Sequence, residues 1–191
     1  MPKLGMEPIR KAALVKATIT EIGRAGSLDV TVSQIAKRAG MSSALAHHYF
    51  GSKEQIFLAA MRHILTLYGA EVRGALAAAE GPKGRVQAIV RVSFATSSFR
   101  REVIGAWLNF YVLAQTLPEA RRLLGVYQCR LQSNLVHSLR PLVGLRAEAV
   151  ARSLGALIDG VYIREALKPA APDSVGAAGT VLDCLERELA A

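Results

Sequence analysis

The sequence has few of the residues on which several protein classes depend. It contains only two cysteines, Cys129 and Cys184, and neither lies in a cluster of histidines and cysteines with metal-ligand spacing. Two thiols cannot form a disulfide framework, so we expect both to be reduced and packed, as in a cytoplasmic protein. Neither a metal ion nor another cofactor is expected.

Long apolar runs and targeting segments are also missing. The longest charge-free run, 103–118, is too short for a membrane span and contains Asn109 and Gln115. The start of the chain is basic and interrupted, unlike a secretory signal peptide. The sequence has no glycine-rich phosphate loop, nucleophile elbow or matched acid–base pair, so we do not expect an enzyme.

Acidic residues are scarce relative to basic ones. The 191 residues include 24 Lys or Arg and 15 Asp or Glu, a formal net charge of +9. The excess is concentrated near the N-terminus, because residues 1–62 hold nine Lys or Arg and four acids. A basic balance favours polyanionic partners without specifying one. The apolar content of 51% indicates a fully folded chain.

The most informative stretch is 31–53. Thr31 and Gln34 have capping-box spacing, so we expect a short helix to begin there and Gly40 to end it. A serine at 42 or 43 then caps a second short helix that runs to about Tyr49. Two short helices joined by a glycine-containing turn are typical of a helix-turn-helix, whose second helix enters the major groove of DNA.

The second helix has side chains suited to nucleic acid. Small residues at its start let the backbone approach DNA closely, and the residues after them can donate to phosphates or base edges. These candidates are Ser43, Ala44, Ala46, His47, His48 and Tyr49. Lys53 lies in the first turn of the next helix, where a cation is disfavoured unless a phosphate lies just outside. Short helix pairs also occur in all-helical proteins that do not bind DNA.

Two segments within this stretch carry a family resemblance. The residues AGMS at 39–42 and HYFGSKE at 48–54 resemble the signature of the TetR (tetracycline-repressor) family of bacterial transcriptional regulators. The resemblance implies phosphate contacts from Thr31, Tyr49 and Lys53. It also implies base or groove contacts from the second helix, which begins at Ser42 or Ser43. The family pattern differs from this sequence at the positions of Leu45, Ala46 and His47.

The predicted organisation is all-α. Residues 1–52 form a three-helix, helix-turn-helix DNA-binding domain, and residues 53–191 form a helical domain for ligand sensing and dimerisation. Helical periodicity predicts a long helix at 53–79 and further helices at 83–97, 102–116, 118–138, 146–167 and 174–189, with Pro141 as a break.

The last two predicted helices each have an apolar stripe. One stripe contains Val150, Leu154, Leu157, Ile158 and Val161, and the other contains Ala178, Val181, Leu182, Leu185 and Leu189. Two such helices can pair with those of a second copy to form a four-helix bundle, which predicts a homodimer. The alternative is that both stripes cover the core of their own domain.

A ligand pocket is indicated by aromatic residues and one acid. Three aromatic residues at i, i+3 and i+4 share one helix face, and two more come from other helices. The candidates are Trp107, Phe110, Tyr111, Tyr127, Tyr162 and Asp159. A quaternary ammonium such as choline suits aromatic faces, each of which contributes about 0.5–2 kcal/mol. The alternatives are core packing for the aromatic stripe and an ion pair with Arg152 or Arg164 for Asp159.

A narrower resemblance concerns the ligand. The start MPKLGM followed by Ile9-Arg10, and the late segment 158–164 with its IDG and Arg164, are similar to choline-sensing repressors of glycine-betaine synthesis genes, a group within the TetR family. The sequence therefore predicts a repressor that binds a palindromic operator as a dimer, is released by choline, and controls osmotic-stress genes. The alternatives are a repressor that senses another hydrophobic or cationic ligand, and a non-specific DNA binder.

Overall fold

A computed structural model describes residues 5–95 and 99–190. Within these residues the backbone forms nine α-helices and no strand, which confirms the predicted all-α fold. The helices are α1 (Met6–Ala25), α2 (Val32–Arg38), α3 (Ser43–Phe50), α4 (Lys53–Ala78), α5 (Gly81–Ser93), α6 (Arg101–Thr116), α7 (Pro118–Val143), α8 (Ala147–Ala166) and α9 (Ser174–Ala190). None of the described helices is long and apolar enough to cross a bilayer.

Helices α2 and α3 begin and end where the local sequence predicts. The Thr31 hydroxyl accepts from the backbone N–H of Gln34, and the Gln34 side chain accepts from the Thr31 N–H at 2.7 Å, which completes the capping box. Gly40 adopts a φ of 68°, a left-handed conformation that favours glycine in the turn. Ser42 caps α3 by accepting from the Leu45 N–H at 3.2 Å.

Helix α4 connects the two ends of the molecule. Its 26 residues span about 39 Å at the standard rise per residue. Ser52 caps it by accepting from the Gln55 N–H at 3.3 Å. The first half of α4 packs with α1 and α3, and the second half packs with α5 and α7. Helix α4 is therefore in contact with both halves of the molecule.

Two hydrophobic clusters make up the core. The first contains buried residues of α1 to α3, the beginning of α4, and α6 from Val103 to Ala114. The second contains α5, α7, α8 and α9 together with Val72 of α4 and Ile104 of α6. Helices α4 and α6 contribute to both clusters. The boundary between residues 52 and 53 stays a prediction.

Helices α1 and α6 cross at two glycines. A Cβ atom at Gly23 would lie 2.2 Å from the Glu102 carbonyl oxygen, and one at Gly105 would lie 3.2 Å from the Gly23 Cα. Only glycine allows this approach, since both contacts are with backbone that a rotamer change cannot move. The crossing joins α1 to the helix that carries Trp107, two residues beyond Gly105.

Two predicted boundaries differ from the structure. Helix α7 continues through Pro141 to Val143, and Gly144, with a φ of 58°, ends it instead. A proline in the last turn removes only one hydrogen bond, so the helix tolerates it there. The predicted helix at 83–97 ends at Ser93 as α5. Residues 96–98 lie outside the described residues. So do residues 1–4, which are part of the N-terminal segment similar to choline-sensing repressors.

The apolar stripes of α8 and α9 are largely buried in the core of their own subunit. Val150, Leu154 and Val161 of α8, with Val181 and Leu185 of α9, are buried in the second cluster of their own chain. The stripes pack on α5, α6 and α7, which satisfies their apolar faces within one subunit. These five residues therefore cover the domain's own core, whereas Leu157, Leu182 and Leu189 of the same stripes are only partly buried. The pairing of α8 and α9 with a second copy stays a prediction.

Candidate functional site

The residues predicted to meet DNA lie at one end of the molecule. Exposed members of this set are Thr31, Ser42, Ala44, His47 and His48, and half-buried members are Ser43, Tyr49 and Lys53. Ala46 is fully buried among the core residues of α1 to α4, so the suggestion that it lets DNA approach is wrong. Its neighbour Ala44 remains on the outer face of α3.

Tyr49 is held by the first helix. The Arg10 guanidinium donates to the Tyr49 hydroxyl at 3.4 Å, and the Lys11 Nζ lies 5.9 Å from the centre of the Tyr49 ring. Both cations thus flank α3 and add positive charge beside it. From the sequence, Arg10 is a possible phosphate contact but is better explained as part of a solvated basic arm, and the basic excess of the N-terminal third is the signal for Lys11.

Side chains also fix the relative position of α2 and α3. The Ser33 and Ser43 hydroxyls are 2.9 Å apart, one donating to the other, across the turn. At the end of α3, Nδ1 of His47 lies 3.2 Å from the Gly51 carbonyl oxygen, so a proton on that nitrogen is donated to the carbonyl. Arg38 is ion-paired with Glu21. The arrangement leaves the exposed face of α3 free to contact a polyanion.

A second candidate site lies in the other half of the chain. Trp107, Tyr127, Asp159 and Tyr162 line one cavity of about 40 Å³ between α4, α5, α6, α7 and α8. The other lining residues are Ile64, Leu65, Tyr68, Ser93 and Ile158. Four aromatic side chains and one carboxylate therefore meet at a single cavity, which we call the aromatic cage.

The rings of the cage pack edge to face. The Tyr127 ring centre lies 5.3 Å from that of Trp107 and 5.6 Å from that of Tyr68. The Tyr68 hydroxyl lies 3.1 Å from the Ser93 hydroxyl, which itself donates to the Ile89 carbonyl. Edge-to-face packing at these distances is the favourable geometry for aromatic pairs, so the cage walls are mutually supported.

Asp159 is the one acid of the cage. Its carboxylate accepts from the Tyr127 hydroxyl at 3.4 Å, and no ion pair among the described residues involves it. Burial raises the pKa of Asp159, and the hydroxyls of Tyr111 and Tyr127 oppose that rise. The structure therefore shows no ion pair between Asp159 and Arg152 or Arg164, and no described cation neutralises the carboxylate.

Two predicted cage residues lie elsewhere. Phe110 is only 1% exposed and packs in the first hydrophobic cluster, so the prediction that it lines the cavity is wrong. Tyr111 does not line the cavity either, and its ring packs edge to face against Trp107, with ring centres 5.6 Å apart. Its buried hydroxyl makes no hydrogen bond to any described residue. Burial and the nearby Asp159 charge raise the Tyr111 pKa.

Two cage residues were missed from the sequence. Tyr68 is one of the apolar-spaced residues of α4, and that spacing was interpreted as core packing. Ser93 is buried near the end of α5. The signal for Tyr68 was its place on the same face as Ile64, one turn earlier.

Comparisons with known proteins match both halves of the chain. A family model described as bacterial regulatory proteins of the tetR family matches residues 14–60. A model described as the C-terminal domain of BetI-type transcriptional repressors matches residues 82–190. A protein of Brucella anthropi called HTH-type transcriptional regulator BetI is 50% identical over 190 residues, which are 99% of this chain and 98% of that protein.

Further relatives agree with these matches. A Rhizobium meliloti protein, also called HTH-type transcriptional regulator BetI, is 50% identical over 178 residues, 93% of this chain and 87% of its own. A transcriptional regulator of Pseudomonas aeruginosa PAO1 has a TM-score of 0.83 at 26% identity, covering 98% and 93% of the two chains. A Saccharomonospora viridis regulator, solved in complex with choline, has a TM-score of 0.81 at 23% identity, covering 92% and 95%.

Proposed function

This chain belongs to the TetR family of bacterial regulators and is a DNA-binding transcriptional repressor, and we propose that choline is the ligand that releases it from DNA. Membership confirms both the resemblance and the prediction that the chain is not an enzyme. The observation on which the choline proposal depends is the aromatic cage around Asp159, a carboxylate without a cationic partner among the described residues.

The chemistry of choline fits this cage. Its quaternary nitrogen has no N–H to donate, so it is bound by aromatic faces and by a negative charge. Trp107, Tyr127 and Tyr162 supply faces, and Asp159 supplies the charge. Tyr111 does not line the cavity, but its buried hydroxyl affects the Asp159 pKa, so it is close enough to bind the alcohol of choline once the walls move apart. The choline bound by the Saccharomonospora viridis regulator supports the same class of ligand for this chain.

The size of the cage supports a coupling mechanism. A cavity of about 40 Å³ is far smaller than a typical ligand site of roughly 300–1,000 Å³, so choline enters only when the walls move apart. Ile64, Leu65 and Tyr68 of α4 form one wall. Ligand binding therefore favours a conformation with α4 displaced, and the same helix begins at Lys53 beside the DNA-contacting residues.

We propose that the repressor acts as a cytoplasmic homodimer on a palindromic operator of glycine-betaine synthesis genes. Two recognition helices must lie about 34–36 Å apart to enter successive major grooves. Displacement of α4 in each subunit changes that separation and lowers the affinity for the operator. The name and sequence of the Brucella and Rhizobium relatives support this assignment.

The direct test is operator affinity, measured by fluorescence anisotropy with DNA from upstream of the protein's own gene. Millimolar choline is expected to weaken binding by about 5–150-fold, the usual range of allosteric coupling. The control is 3,3-dimethylbutanol, which has the size of choline and no charge, and is expected to have no effect. If the protein bound the operator tightly and choline did not change the affinity, the protein would still be a repressor but choline would not be its ligand. A bulky apolar cation that lowered operator affinity would then indicate another class of ligand.

The DNA face has its own prediction. Lys53→Ala is expected to weaken operator binding at low salt and to reduce the slope of log affinity against log salt by about one, because one phosphate contact is lost. Tyr49→Ala removes the side chain that Arg10 holds and is expected to weaken binding further. Arg122→Ala, an exposed charge on α7, is the matched control. Unchanged affinity and slope in both variants, with the dimer intact by gel filtration, would refute this DNA face.

A further inference from the structure

A second cavity adjoins the aromatic cage. It has a volume of about 380 Å³ and lies between α4, α5 and α7. Leu65, Tyr68 and Tyr127 line both cavities, so the edge-to-face pair of Tyr68 and Tyr127 is the wall between them. We call this second cavity the vestibule.

The vestibule differs from the cage in charge. Its lining includes Arg73 of α4 and Arg130 of α7, together with Asn134, and no acidic residue. Neither arginine forms a salt bridge with any described residue, and both are exposed. The two cavities together therefore present one unpaired carboxylate at one end and two unpaired guanidinium groups at the other.

Resting on the proposed function, we propose that the vestibule extends the effector site to quaternary ammonium compounds that also bear an anionic group, with phosphocholine as the chemical type. The trimethylammonium group occupies the cage beside Asp159, and the phosphate lies in the vestibule between Arg73 and Arg130. Guanidinium groups bind phosphate oxygens with charge-assisted, often bidentate hydrogen bonds.

The wall between the cavities is suited to opening. Tyr127 is held by its hydrogen bond to Asp159, the same carboxylate that the cation requires. A cation beside Asp159 draws on the negative charge of the carboxylate and weakens this hydrogen bond, which loosens one of the contacts that hold the Tyr127 ring. Tyr68 stays anchored through Ser93. Binding in the cage therefore makes Tyr127 more mobile, and Tyr127 is one of the two residues that separate the cage from the vestibule.

The test uses the fluorescence of Trp107, the single tryptophan of the chain, which lies in the cage wall. Choline, phosphocholine and glycine betaine are titrated into the wild type and into the variant Arg73→Ala/Arg130→Ala. Removing both exposed arginines is expected to weaken phosphocholine binding by about tenfold, since each exposed charge pair gives roughly threefold. Choline binding is expected to change by less than about twofold. Glycine betaine has its carboxylate closer to the quaternary nitrogen than the phosphate of phosphocholine is. Comparing the two compounds therefore tests whether the anionic group must be far enough from the nitrogen to reach the vestibule.

The control variant Arg91→Ala/Arg122→Ala removes two exposed arginines that line neither cavity. It is expected to bind all three compounds as the wild type does, which separates a local contact from a change in net charge. If Arg73→Ala/Arg130→Ala weakened choline and phosphocholine binding equally, or left phosphocholine binding unchanged, the vestibule proposal would be overturned. The choline proposal would stay in place. Absence of binding by choline itself would overturn both.

Discussion

Replacing Asp159 with asparagine is expected to abolish the response to choline while making the folded protein more stable. The substitution keeps the size of the side chain and an oxygen that accepts from Tyr127. It removes the only negative charge in the cage lining. Loss of one partner of a buried charge pair costs about 2–5 kcal/mol, so choline affinity is expected to fall by about thirtyfold or more.

The gain in stability follows from the raised pKa. Because burial raises the Asp159 pKa above its ordinary 3.8, the native state holds this proton more tightly than the unfolded state does. The contribution of the carboxyl to stability is present at low pH and is lost as the pH rises through the raised pKa. At neutral pH the buried charge therefore costs free energy, and asparagine is expected to recover about 0.5–2 kcal/mol.

Two measurements check this prediction. Urea unfolding gives the free energy of unfolding, and Trp107 fluorescence gives choline affinity. Asp183→Asn, an exposed acid on α9, is the matched control and is expected to change neither. In the wild type, choline binding is expected to weaken as the pH falls and Asp159 becomes protonated. Because the Asp159 pKa is raised, this loss begins at a higher pH than it would for an ordinary aspartate. An asparagine variant that still responds to choline would contradict the role of Asp159.

Replacing Gly23 with alanine is expected to have the largest effect on stability. The new Cβ would lie 2.2 Å from the Glu102 carbonyl oxygen and 2.5 Å from its Cα. Overpacking of this kind typically costs 1–3 kcal/mol, and contact with backbone places the cost near about 3 kcal/mol. For a chain of this size, the melting temperature is expected to drop by about 6–12 °C. Helices α1 and α6 must separate to admit the methyl group.

Gly74→Ala supplies the control for Gly23→Ala. Gly74 lies inside α4, and a Cβ there meets nothing within 4 Å. Alanine at this position is expected to stabilise the protein by about 0.5–1 kcal/mol through helix propensity alone. Thermal unfolding followed by circular dichroism measures both. If Gly23→Ala also raised the melting temperature, the close crossing of α1 and α6 would be refuted.

The sequence predicts well those features that depend on neighbours in the chain. Thr31 and Gln34 are three residues apart, so their reciprocal capping bonds follow from local geometry. The same is true of Ser42 and Ser52 as helix caps. For this reason the boundaries of α2, α3 and α4 agree with the prediction to within a residue.

Features that depend on distant packing were predicted less well. Phe110 shares a helix face with Trp107, but that face is divided between the core and the cavity, and spacing does not say where the division falls. Tyr68 lines the cage because α4 passes beside α7. The sequence of α4 alone does not predict which helix it packs against. The stripes of α8 and α9 gave the same pattern for a subunit core as for a dimer surface. The crossing of Gly23 and Gly105 has no sequence signal.

In the proposed mechanism, helix α4 amplifies a small movement at the cage into a larger one at the DNA end. Lys53 lies fifteen residues before Tyr68, which corresponds to about 22 Å along the helix axis. Tilting a rod of that length by about 5° around its cage end swings its tip by about 2 Å. That distance is enough to break a hydrogen bond to a phosphate, and two subunits swinging in opposite senses double it. In the proposed mechanism, a wall movement too small to alter the fold is therefore enough to release the proposed dimer from its operator.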